Sequence, residues 1–363
     1  MLRNARCGAR IQRLLAAAIA KRKALLVAAA AALAFALACR TTNVARAAGD
    51  ESAPEKKASA GDLDPKLPGY EKASTEVSGS IKSVGSDTML NLMDHWSASF
   101  TKIYPNVRAE IEGKGSATAP PALIEGTGNF GPMSRDWKKE EIEKFEAKYG
   151  YKPTTLPAAI DMLAVYVNKD NPIEGLSFQQ IDAVFSKARK GGYPNDVLTW
   201  GDLGMTGEWK DKPINLYGRN SASGTYAFFK EHAMFKGDFK DSVKEQPGSS
   251  AVVQGVASDK YGIGYSGIGY KTADVRAIPL ALKEGKKFVP AEPDYAYRGQ
   301  YPLARFLYIS VNYKPGSQLD PLRAEFLKYV LSRNGQEDVD REGFLPLTEK
   351  VAARGLKMVG LSE

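Results

Sequence analysis

A chain of 363 residues exceeds the usual reach of one hydrophobic core, and 43% hydrophobic with 10% aromatic residues is enough to build two, which excludes a wholly disordered protein. The formal charge of +8 does not signal a nucleic-acid partner, because residues 1–47 carry nine Lys/Arg and no acid, leaving 41 basic against 42 acidic residues beyond them. Both cysteines, Cys7 and Cys39, fall in the same leader, so the remainder offers no disulfide, no thiol nucleophile and no thiolate metal site.

In chain order, the basic stretch from Arg3 to Lys23 precedes an uncharged Ala/Leu-rich run, Ala24 to Ala38, and Ala45-Arg46-Ala47 supplies an A-x-A cleavage site. The run is shorter than the about 20 residues a membrane span needs, so residues 1–47 read as a signal peptide rather than an anchor. Cys39, in the string ALAC, is an alternative processing point by lipidation, although Ala36 stands where that signal usually has Leu. Residues 48–78 are rich in Ala, Ser, Lys, Asp, Glu and Pro without apolar periodicity and read as a flexible arm.

The folded body is expected from about Gly79. Ser80–Val84 is a strand, and Met89, Leu92, Met93, Trp96, Phe100 and Ile103 follow at helical spacing. Val107–Ile111 is the next strand, a short helix lies around Ala122–Glu125, and Asn129–Met133 is strand-like. Ile142, Phe145 and Tyr149 stripe a helix ended by Gly150, and Leu156–Asn168 is a long buried strand. Ser177 and Gln180 form a capping box. Ile214–Gly218 runs into a helix bearing Tyr226 and Phe229; a helix at Ala251–Ala257 and strands at Gly262–Gly269 and Phe306–Val311 follow. Strands alternating with amphipathic helices indicate an α/β protein with mainly parallel sheets. Two lobes joined by crossing strands would hold a ligand in the cleft beyond the strands' carboxyl ends.

Three loops share one plan, in which an apolar strand stops, small hydroxylated residues follow, and a helix begins: Ser83–Met89 (SVGSDTM), Gly113–Pro121 (GKGSATAPP) and Tyr217–Phe229 (YGRNSASGTYAFF). A helix start exposes unpaired N–H groups and about half a positive charge, an arrangement that attracts oxyanions. One such loop is ordinarily only an N-cap, a role open to Ser86, Asp87 or Thr88. Three of them, one with Arg219 four residues before Ser223, point to a tetrahedral anion, because guanidinium offers a planar fork to two of its oxygens.

These residues resemble the PstS-type phosphate-binding proteins, from about Leu63 to the C-terminus, through VGSDTM, TAPPALIEGT, GPMSR, KYGYKPT, GRNSASGTY, GIGYSGIGYKTA and PLARFLYISVN. The resemblance implies a two-lobe periplasmic-binding-protein fold (type II, Venus-flytrap), with lobe I as residues 79–167 plus 306–363 and lobe II as residues 168–305. It implies a monomeric periplasmic receptor, without cofactor or metal, that delivers inorganic phosphate to the permease of the Pst ABC importer. The family's R-x-x-x-S-G-T loop falls on Arg219, Ser223, Gly224 and Thr225; its other ligand positions fall on Asp87, Thr88, Ser116, Ser134 and Arg135. The best-known members have F-G-A-S-D, whose Asp accepts the proton of monohydrogen phosphate, where this chain has Ser134-Arg135 and only then Asp136. The acceptor is therefore open between Asp87 and Asp161, the latter in an apolar strand where an internal salt bridge is the ordinary alternative. A carboxylate there would collide with sulfate, which has no proton to give.

Gly262-Ile-Gly264-Tyr-Ser-Gly267 matches a dinucleotide fingerprint, but no helix start or acidic partner supports it, and GRNSASGT lacks the lysine of a P-loop. An exported phosphoesterase would need a metal cluster or an activated nucleophile, for which His95 and His232, the only histidines, give no pattern. A receptor for sulfate, molybdate or tungstate is the nearer alternative.

Overall fold

Apolar residues at helical or strand spacing account for each element of the computed structural model, which describes residues 63–361. All of these lie in one compact unit spanning Lys56–Glu363. The expected signal peptide, Cys7, Cys39 and residues 48–62 of the expected arm lie outside the described residues.

Strands β1 (Gly79–Val84) and β2 (Val107–Glu112) pair in parallel, and between them helix α1 (Leu90–Ile103) buries Leu92, Met93, Trp96 and Phe100 on one stripe. Helix α2 (Ala119–Glu125) leads to β3 (Gly131–Met133) and α3 (Lys139–Tyr149), which Gly150 ends at φ 77°. The 15-residue β4 (Thr154–Asn168) is followed by β5 (Leu176–Ser177) and α4 (Phe178–Phe185), where Ser177 and Gln180 form the expected capping box. Then come β6 (Asn215–Arg219), α5 (Gly224–His232), β7 (Lys244–Gln246) and α6 (Ser249–Ser258). Strands β8 (Gly262–Gly267), β9 (Val275–Ala277) and β10 (Leu280–Ala281), the short α7 (Pro293–Tyr297) and β11 (Ala304–Val311) precede the closing helices α8 (Pro321–Leu331), α9 (Arg333–Arg341) and α10 (Glu349–Met358).

The largest sheet has the order β3-β11-β4-β8-β6-β7, with β9 also on β4. It is mixed rather than mainly parallel: β11 runs antiparallel to β3 and β4, and β4 antiparallel to β8 and β9, while β6 pairs in parallel with β7 and β8. The reason is the long strand. β4 carries the chain from one core to another and β11 brings it back beside it, and a direct return is antiparallel.

Two buried clusters divide the molecule. One gathers Trp96, Phe100, Leu156, Ala159, Leu307, Ile309 and Phe326, the other Met162, Val165, Phe185, Trp200, Phe229, Tyr265 and Leu303. The change from one to the other falls at Ile160–Asp161 on β4 and between Leu303 and Leu307 on β11, so on β4 it comes well before Asn168. Leu345 joins the second cluster from the C-terminal segment and pairs with Ile160. Uninterrupted apolar sequence hides such a change, because both cores want the same residues.

The expected arm is docked over the part described. Leu67 is buried, Tyr70 donates to Glu325 Oε2 at 2.7 Å, and Arg333 N donates to the Pro68 carbonyl at 2.7 Å. Asp64 accepts from the N–H of Glu349 at 2.9 Å, satisfying an orphan donor at the start of α10. Its polar composition concealed this, since only a few apolar residues, Leu67, Tyr70 and Val77 among them, are spread through it. Leu67→Ala is expected to cost about 2–3 kcal/mol of unfolding free energy in urea titration; an unchanged midpoint would show that the docking contributes nothing.

Candidate functional site

Each polar loop begins where a strand ends. β1 delivers Ser86, Asp87 and Thr88 to a short 3-10 turn before α1, and β2 delivers Ser116 to another before α2. β3 ends beside Ser134, and β6 ends on Arg219 itself, four residues ahead of Ser223, the N-cap of α5, whose hydroxyl accepts from Tyr226 N. Ser86, Thr88, Ser116, Ser134, Arg219, Ser223 and Thr225 are all buried. Burying so many hydroxyls around a cation is costly unless they are hydrogen-bonded.

They are bonded to one another across the two cores. Arg219 Nη1 lies 3.1 Å from Asp87 Oδ2 and donates to Ser249 Oγ at 2.8 Å, while Ser249 N donates to Asp87 Oδ2 at 2.7 Å. Thr88 Oγ1 and Thr225 Oγ1 are 2.8 Å apart. Ser134 N donates to Ser116 Oγ at 3.0 Å, and the Ser86 and Ser134 hydroxyls are in direct contact. The Arg219 guanidinium is not fully matched: its Nε is buried and makes no hydrogen bond among the described residues.

Close approach of the two halves explains two glycines. A Cβ on Gly224 would stand 2.3 Å from Ser116 Oγ, and one on Gly115, whose φ is 108°, 2.6 Å from the Ala222 carbonyl oxygen. The same seam is closed by the Ala117 N–H donating to that carbonyl at 3.1 Å. A cleft of about 470 Å³ opens beside the cluster; Arg135 and Arg305 line it, and it meets the cluster at Ser134.

Two expected site residues are engaged elsewhere. Arg135 lines the cleft and donates to both carboxylate oxygens of Glu141, at 2.7 and 2.9 Å. Asp161 is wholly buried with both oxygens occupied: Oδ2 accepts from Arg305 Nε and Nη2 at 3.0 and 2.8 Å, and Oδ1 from Ile268 N at 3.0 Å. The internal ion pair, the ordinary alternative for this residue, is what the structure contains. Asp87 keeps Oδ1 without a hydrogen bond among the described residues.

Three participants escaped sequence reasoning. Ser249 opens α6 two residues before the periodicity at Ala251 announces that helix, and the signal was present in Pro247-Gly248-Ser249-Ser250 as a fourth hydroxyl-bearing helix start. Arg305 stands one residue before the expected strand Phe306–Val311 and has no role of its own in the sequence reading. Tyr270 donates to the Asp87 and Thr88 carbonyls at 3.0 and 3.1 Å, bracing their loop; burial, and then the Asp87 charge, raise its phenol well above the ordinary value, so it remains a donor. As for the rejected motifs, Gly262–Gly267 is a strand, and His95 sits away on α1, 3.0 Å from Glu342.

Comparison with known proteins gives the arrangement a family. A model described as a PBP superfamily domain matches residues 71–334. The chain is 57% identical over 299 residues to the phosphate-binding protein PstS of Pseudomonas aeruginosa, covering 82% of this chain and 92% of that one. It is 29% identical over 286 residues to the PstS of Staphylococcus haemolyticus, covering 78% and 85%. Among solved structures, a Clostridium perfringens protein assigned as a phosphate ABC transporter substrate-binding protein, with bound phosphate, superimposes at TM-score 0.62 and 25% identity, over 74% of this chain and all of that one. An ABC-type phosphate transport receptor from Vibrio cholerae, at TM-score 0.57 and 22% identity over 74% of this chain, shares the fold. With two cores joined by crossing strands and strand-end loops meeting at the seam, the chain belongs to the PstS family of phosphate-binding proteins, within the two-lobed PBP superfamily.

Proposed function

We propose that this chain is the receptor of a phosphate importer: it binds one inorganic phosphate between its lobes and presents it to the membrane permease of an ABC transporter. The observation that carries this reading is Arg219, a buried guanidinium whose Nε–H has no partner among the described residues, set among the hydroxyls of Thr88, Ser116, Ser223, Thr225 and Ser249 at helix starts and of Ser134 at the end of β3. Such a site is rich in donors and holds one carboxylate, which suits an anion with several acceptor oxygens and one proton.

In this reading the basic, Ala/Leu-rich leader directs export and the receptor works outside the cytoplasm as a monomer; no described helix is long and apolar enough to cross a membrane. The lobes are residues 79–160 with 306–363 and residues 161–305, the boundary on β4 moved from the expected Asn168 to the change of core at Ile160–Asp161. The chain acts by binding, not catalysis. Asp87 Oδ1, the unengaged carboxylate oxygen, accepts the proton of monohydrogen phosphate, while Oδ2 keeps Arg219 in place. Calorimetry on protein unfolded and refolded to strip ligand tests the reading: phosphate and arsenate bind and sulfate does not. Saturable binding of sulfate in preference to phosphate, or steady release of phosphate from a phosphomonoester, would overturn it.

Arg219→Ala removes a charge-assisted contact in a closed cleft and is expected to weaken phosphate binding by about 2–4 kcal/mol, one and a half to three decades, with the fold intact. Asp87→Asn retains a carbonyl oxygen for Arg219 and Ser249 but replaces the free acceptor with an amide donor. Phosphate affinity falls, sulfate affinity holds or rises, and the ratio of the two narrows by at least about tenfold, or 1.4 kcal/mol; a ratio unmoved in parallel titrations would remove Asp87 from this role. Gly224→Ala places a methyl against Ser116 Oγ and keeps the lobes apart. Small-angle scattering should then show the compaction seen with phosphate in the wild type to be lost, while the ligand-free unfolding midpoint is retained.

A further inference from the structure

We infer that Arg305 is a positioning residue for anion binding, which from behind the site orients Thr225 as a hydrogen-bond donor toward the ligand and ties both lobes to the hinge. This rests on the phosphate reading of the site. Arg305 does not line the hydroxyl cluster; it reaches it through two other groups, one from each lobe. Its Nη1 donates to the carbonyl oxygen of Ser134 at 2.9 Å, and its Nη2 donates to Thr225 Oγ1 at 2.9 Å.

A guanidinium has five N–H donors and no acceptor. Thr225 Oγ1 therefore accepts from Arg305 and must point its own proton elsewhere, toward Thr88 Oγ1 at 2.8 Å or toward a ligand oxygen in its place. A charged donor behind a hydroxyl also polarises it, making it a stronger donor in front. Thr225 is thus committed to an unprotonated ligand oxygen, which leaves the ligand's proton for the carboxylate side.

The base of Arg305 explains how it stays in register. Asp161 and Arg305 are cross-strand partners on β4 and β11, at the level where the two cores change over. Asp161 takes Nε and Nη2 and is itself held by Ile268 N, while the Phe228 ring lies 5.1 Å from the guanidinium carbon. An ion pair serving only to neutralise Asp161 would leave Nη1 free to face the adjoining cleft. Here that donor is spent on Ser134, in the first lobe, and Nη2 is shared with Thr225, in the second. Separation of the lobes breaks one of these bonds and leaves the hinge pair intact.

The test compares Arg305→Lys and the paired variant Asp161→Asn/Arg305→Gln, each with and without Thr225→Val. The paired variant avoids a lone buried carboxylate, whose exposure to unfolding effects would confuse the result; Arg305→Lys keeps the charge but gives one ammonium in place of a fork. Phosphate affinity and dissociation rate are measured on refolded protein, together with the ligand-free unfolding midpoint. The paired variant should keep a midpoint near the wild type and bind phosphate about 10- to 100-fold more weakly, mostly through faster release, with Arg305→Lys between the two. With Thr225→Val present, either Arg305 change should cost much less than it does alone, because it acts through that hydroxyl. Wild-type release rates in either variant, or losses that simply add to that of Thr225→Val, would overturn the inference. Wild-type protein that binds no phosphate would instead sink the reading of the site.

Discussion

Arg219 has been taken out of water at the end of a strand, with 2% of its surface left exposed, and the carboxylate that answers it comes from the other lobe. Isolating a guanidinium in this way is costly by several kcal/mol unless its donors are met. Among the described residues its guanidinium finds, within its own lobe, the Ser249 hydroxyl and a long contact to the Pro247 carbonyl, and its Nε has no partner. The charge is therefore satisfied only when Asp87 is brought across the seam, and fully only when an anion joins it. Closure and binding share one electrostatic requirement.

The small side chains at the seam follow from that requirement. For Asp87 to reach Arg219, the loops after β1 and β2 must touch the start of α5, and Gly115 and Gly224 leave out the two Cβ atoms that would stand in the way. Short hydroxyl side chains suit such close spacing. They also serve two purposes, since a serine or threonine hydroxyl can be a donor to a ligand and an acceptor from a neighbour. The Thr88–Thr225 contact across the seam and the Ser116–Ser134 contact beside it keep these hydroxyl groups satisfied, which leaves Asp87 with Arg219 as the ion pair between the two sides among the described residues.

The hinge is built from the opposite materials. β4 and β11 lie antiparallel through the middle of the largest sheet, apolar at both ends and interrupted by one ion pair, Asp161 with Arg305, at the point of crossing. A buried pair contributes little net stability, since desolvation offsets most of the attraction. Its value lies in direction: the planar fork has donors left over after Asp161, and they point at both lobes. A lone carboxylate in an apolar strand thus becomes intelligible as the anchor of an arginine rather than as a ligand group.

Sequence alone determined the elements and much of the chemistry. Periodicity marked α1 and the long β4, and the shared plan of strand, hydroxyl residues and helix marked the loops of Asp87, Ser116 and Arg219, because these properties are local and each repeats within a few residues. The family followed from motifs along most of the chain. What sequence could not decide was which partner each charge would take, for pairing depends on what faces a side chain across space. Arg135 and Arg219 are both arginines near strand ends, yet one is claimed by Glu141 six residues on and the other by Asp87 from the far lobe. Asp161 reads as a stranded carboxylate until β11 lays Arg305 beside it. Ser249 joined the site only because the fold brings a fourth helix start to the same seam, and the docking of Leu67 depended on partners such as Arg333, 266 residues away. Local order is written in neighbouring residues, whereas the site is a set of distances between distant ones, and only the packed tertiary structure sets those.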